Sequence, residues 1–60
     1  MFTLTHEDGT STSVQNTSSL AEALALFGLN VHVDIQPSAS PNKWYIERLT
    51  DGAEFILRRH

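Results

Sequence analysis

Sixty residues with a net charge of −3 and no cysteine make one domain, and they exclude disulfides, thiolate nucleophiles and cysteine-held metals. A chain this short buries only about 60% of the surface its unfolded form exposes, so a modest stability is expected. Residues 1–42 carry four acids (Glu7, Asp8, Glu22, Asp34) and no Lys or Arg, while Lys43, Arg48, Arg58 and Arg59 all follow, against Glu47, Asp51 and Glu54; nucleic-acid modules usually show a basic surplus instead.

The N-terminal residues show no basic segment leading into a long apolar run, so neither a signal peptide nor a spanning helix is expected. A cytoplasmic setting fits the absence of cysteine. Phe2 to Gln15 reads as a β-hairpin turning at Asp8-Gly9. A three-residue loop, Glu7-Asp8-Gly9 with Gly9 left-handed, sets Phe2 opposite Val14 and Leu4 opposite Thr12, which gathers the apolar residues on one face. A two-residue loop moves Val14 to the other side, so the longer loop is expected. The Thr- and Ser-rich second strand reads as a sheet edge.

Ser19 to Leu29 is the one stretch with helical periodicity. Leu20, Ala23, Leu24 and Phe27 share a face at i, i+3, i+4 and i+7. Ser19 and Glu22 have capping-box spacing. Gly28 stands where a left-handed residue ends a helix, and Leu29 is placed to fold back on Leu24. A helix of about two turns is marginal alone and needs a sheet to cover its stripe.

After Gly28 the period becomes two. Val31, Val33 and Ile35 alternate with His32, Asp34 and Gln36, and Pro37 closes this strand. Pro37 to Asn42 is a polar, exposed connector, with a contact role as the second option. Lys43 to His60 forms another hairpin, turning at Asp51-Gly52. A two-residue loop points Trp44, Ile46, Phe55 and Leu57 to one side. Lys43, Glu47, Glu54, Arg58 and His60 then lie on the other, joined by Tyr45, Leu49 and Ile56; a three-residue loop would mix the faces.

The order β-β-α-β-β-β predicts a single α+β domain over residues 1–60, an antiparallel or mixed sheet with one helix packed on one face. The expected core is Phe2, Leu4, Val14, Leu20, Ala23, Leu24, Phe27, Leu29, Val31, Val33, Ile35, Trp44, Ile46, Phe55 and Leu57.

No spacing carries catalysis. The glycines are each explained by a turn or cap, and no nucleophile elbow or phosphate loop is present. His6, His32 and His60 are scattered, with His32 and Asp34 sharing one face of a strand, and no metal-ligand spacing exists. No enzyme activity, metal or cofactor is therefore expected. Lys43, Arg48, Arg58 and Arg59 beside Trp44 and Tyr45 are the residues a single-stranded RNA or DNA module would use, although Glu47, Asp51 and Glu54 dilute their field. Tyr45, Leu49 and Ile56 rimmed by Glu47, Glu54 and Arg58 fit a protein interface better, with an apolar centre and polar edge. The expected function is a small non-catalytic protein-binding module, its partner another protein or a second copy in a homodimer. By size, acidity and missing catalytic features it is comparable to the small accessory and inhibitory proteins of phages and mobile elements, the anti-CRISPR type among them.

Overall fold

Every neighbouring pair of strands in this protein is antiparallel. The computed structural model describes residues 1–60, with β1 (Phe2–His6), β2 (Ser11–Val14), α1 (Leu20–Leu26), β3 (Val33–Pro37), β4 (Lys43–Arg48) and β5 (Glu54–Arg59). The strands form one sheet in the order β2-β1-β5-β4-β3. The two strands joined through α1 are thus the opposite edges of the sheet. The connection carries the helix from one edge to the other, and its apolar stripe covers one face. Ala23, Leu24 and Leu29 pack with Phe2, Leu4, Ile46, Phe55 and Leu57 in a single core.

The helix ends are local chemistry. Ser19 is extended, and its hydroxyl accepts the Glu22 backbone N–H at 3.1 Å, which satisfies one of the free amides of the first turn. At the other end Gly28 has φ 73°, its N–H donates to the Ala25 carbonyl, and the Leu29 N–H donates to the Leu24 carbonyl at 2.8 Å. Both bonds are those of a Schellman ending, and they fold Leu29 into the core at 1% exposure.

The first hairpin has the three-residue loop. Phe2 faces Val14, Leu4 faces Thr12, and Gly9 has φ 89°. Asp8 accepts both the backbone N–H and the hydroxyl of Thr10, which fixes the turn. Hydroxyl pairs Thr3–Ser13 and Thr5–Ser11 line the outer side of this edge.

The second hairpin departs from the expected two-residue loop. Arg48 pairs with Ala53, so Leu49, Thr50, Asp51 and Gly52 form a four-residue connection, and Ile46 faces Phe55 rather than Leu57. Asp51 holds the longer loop closed, accepting from Nε and Nη2 of Arg48 and from the Ala53 N–H. The register has shifted by two residues, which leaves the side chains that stay on the strands on their expected faces and moves Leu49 into the turn.

Val31 is also corrected. It is 62% exposed, because His32 adopts φ 54° and breaks the alternation before β3 begins at Val33. His32 and Asp34 therefore do not share one strand. The other expected core residues are buried or packed against the core, joined by Ala53. No helix is long and apolar enough to cross a membrane.

Candidate functional site

With α1 on one face, alternation along the strands presents a second set of side chains on the open face. Three rows cross it. The middle row reads Ser11, Thr5, Ile56, Tyr45 and Gln36 from edge to edge. Toward one end of the strands lies the row Ser13, Thr3, Arg58 and Lys43, and the His60 imidazole meets the Thr3 hydroxyl at 3.0 Å. Toward the other end Glu54, Glu47 and Asp34 stand side by side, and Glu7 extends them by accepting the Glu54 backbone N–H at 2.7 Å. The face is thus basic at one end and acidic at the other, with Ile56 and Tyr45 as an apolar centre between them.

Within each charged row, like faces like. Lys43 is directly opposite Arg58, and Glu47 is directly opposite both Glu54 and Asp34. Cross-strand pairing of opposite charges, the ordinary arrangement of a solvated sheet face, is not found here. The one ion pair of the structure, Arg48–Asp51 at 2.8 Å, is in the β4–β5 turn. The Lys43 ammonium lies 5.2 Å from the Tyr45 ring centroid, within cation–π range. Tyr45 is 45% exposed, and an open depression of about 520 Å³ runs beside it, walled by Thr5, Ile56, Asp34, Glu47 and Glu54.

Of the residues expected at a protein interface, Tyr45, Glu47, Glu54, Ile56 and Arg58 are together on this face. Leu49 is not. The four-residue turn takes it off the strand, where its backbone N–H donates to the His32 carbonyl. The four cations of the nucleic-acid set are divided between faces. Lys43 and Arg58 are on the open side. Arg48 stacks over Phe55 while bonded to Asp51, and Arg59 lies over Trp44 while donating twice to the Asn42 side chain. The Pro37–Asn42 connector is tied down by polar bonds, with the Ser38 hydroxyl donating to the Lys43 carbonyl at 2.8 Å.

The histidines do not converge, since His6 packs edge-on against Phe55 and His32 precedes β3. No group of three His, Asp or Glu side chains is close enough to hold a metal ion. Two turn aspartates titrate low. Hydrogen bonds from Arg48, then from the Ala53 amide, hold Asp51 at about 2, and the Thr10 hydroxyl and amide lower Asp8. The sequence pattern does not single out Asp34, Gln36 or Glu7 as part of the open face. Alternation places Asp34 and Gln36 opposite Val33 and Ile35, but only the strand order makes Asp34 a neighbour of Glu47. No family model, curated protein or solved structure matches the chain.

Proposed function

We propose that this chain is a small non-catalytic protein-binding module, and that the open face of its sheet is the contact surface. The observation that carries this is exposed Tyr45 beside half-buried Ile56 at the centre of a face whose charged residues form no ion pair within the chain. An aromatic anchor inside a polar rim is how protein interfaces are organised. Unpaired charges around it give orientation and encounter rate to a partner of complementary charge. The module acts by occupying a surface, in the manner of an accessory or inhibitory protein.

The test is a comparison of variants as immobilised bait in an extract of the cell of origin. Tyr45→Ala with Ile56→Ala removes the centre of the face. Leu26→Ala, at a helix position 60% exposed, serves as the control on the other side of the molecule. The double variant is expected to lose the protein that both wild type and control retain, with cooperative thermal unfolding intact. Equal capture by all three overturns the assignment of this face.

A further inference from the structure

Resting on the open-face reading above, we propose that the occupant of this face is a second copy of the same chain, docked face to face about a two-fold axis that runs along the Tyr45–Ile56 row. The reason is a symmetry in the charges. On β4 the outward residues read Lys43, Tyr45, Glu47, and on β5 they read Glu54, Ile56, Arg58. Each strand carries a central apolar residue with a cation two positions to one side and an acid two positions to the other. Rotation by half a turn about the central row exchanges the two ends of each strand. It therefore brings Lys43 over Glu47 of the second copy and Arg58 over Glu54 of the second copy, and each reciprocally. Four opposite-charge contacts form where the isolated chain has only like-charge neighbours. Tyr45 meets Tyr45 and Ile56 meets Ile56, the self-contacts that an isologous interface requires.

The outer strands obey the same rule. The rotation sets Asp34 over the position of Ser38 and Glu7 over that of Thr3, so no acid meets an acid. Aligned packing of two sheets at about 10 Å leaves room for one interdigitated layer of side chains. A heterologous partner does not need this inversion of sign along both central strands; a second copy does.

Size sets the strength. Five strands spaced by about 4.8 Å and roughly five residues long offer on the order of 400 Å² of projected face per copy. The total falls at the small end of specific interfaces, which corresponds to a weak, concentration-dependent dimer.

Sedimentation analysis of the full chain from about 10 µM to about 1 mM, the range suited to a small interface, tests this. Wild type is expected to pass from monomer to dimer. Lys43→Glu with Arg58→Glu gives an all-acidic face, and Glu47→Lys with Glu54→Lys an all-basic one. Each alone is expected to stay monomeric, and an equimolar mixture to form a heterodimer at least as tight as the wild-type dimer, because the mixture restores the same four opposite-charge contacts. Should the crowded like charges unfold either variant, the chain with all four substitutions (Lys43→Glu, Glu47→Lys, Glu54→Arg, Arg58→Glu) keeps the wild-type net charge. It is expected to pair with itself and not with wild type. A wild type that stays monomeric at the highest concentration overturns the second copy as occupant, as does a dimer indifferent to these charges. If that monomer still loses its captured protein on Tyr45→Ala with Ile56→Ala, the protein-binding face stands without the dimer; if capture is also unchanged, both fall.

Discussion

Glu47 and Glu54 stand directly opposite each other across β4 and β5, and no cation of the chain is within ion-pair distance of either. Asp34 flanks Glu47 on its other side. Like charges directly opposite on a sheet are destabilising, by less than about 1 kcal/mol where both are exposed. The isolated chain is therefore less stable than its composition allows. A cation set over the acidic row would relieve this repulsion.

Glu47→Gln separates these two effects. It removes repulsion from both neighbours and keeps size and shape, so the monomer is expected to gain about 0.5 kcal/mol. The urea midpoint at low protein concentration should rise with an unchanged slope. Self-association should weaken under the same substitution, because Lys43 of the second copy loses its counter-charge. A loss of monomer stability would contradict the like-charge account.

Gly28 is a second position where one substitution isolates one cause. Its φ of 73° is left-handed, and a Cβ added there would meet nothing within 4 Å. Gly28→Ala thus carries only the backbone penalty, about 1–2 kcal/mol of destabilisation. Gly28→Asn should lose less, since Asn tolerates this conformation. At the other end of α1, Ser19→Ala removes the acceptor of the Glu22 amide and should cost about 1 kcal/mol. Denaturant titration checks all three, and equal losses for Gly28→Ala and Gly28→Asn would sink the conformational explanation.

These helix ends were legible in the sequence because their chemistry is contained within a few residues. So was the first turn, where one-residue alternatives send Val14 to opposite faces. The second turn resisted for a definite reason. A shift of two residues keeps every side chain that stays on a strand on its face, so the hydrophobic pattern is blind to it, and the Arg48–Asp51 contact that selects the longer loop becomes visible only in three dimensions. Val31 was misplaced because a periodic pattern does not reveal that His32 turns left-handed. The face of the candidate site was readable from alternation. Its division into an acidic and a basic end was not, since that depends on which strands become neighbours.

Leu24 tests the helix as the cover of the core. It is 6% exposed and packs with Phe2, Leu4 and Leu57 in the core cluster. Leu24→Ala should cost about 2–5 kcal/mol through lost transfer and the cavity left behind. Leu24→Asp buries a carboxylate with no cation beside it, and the domain should not fold near neutral pH. A soluble Leu24→Asp protein with a cooperative thermal transition would show that α1 is dispensable.

Acid should weaken the second hairpin in a defined window. Asp51 takes two hydrogen bonds from Arg48, at 2.8 and 3.0 Å, and one from the Ala53 amide, which lower it from 3.8 to about 2. Because its folded value is depressed, Asp51 adds stability that is fully present above pH 3.8 and is lost as pH falls toward about 2. Arg48 is shifted upward by the same contact, so its contribution holds throughout this range and fades only in strong alkali. Asp8, lowered by Thr10, acts in the same direction as Asp51. In Asp51→Asn the side-chain oxygen can still accept from Ala53, but the charge on Arg48 is unmatched. The urea midpoints of wild type and Asp51→Asn should differ at neutral pH and converge between pH 3.8 and about 2. A difference that stays constant across that window would mean that the Arg48–Asp51 pair does not couple proton binding to folding.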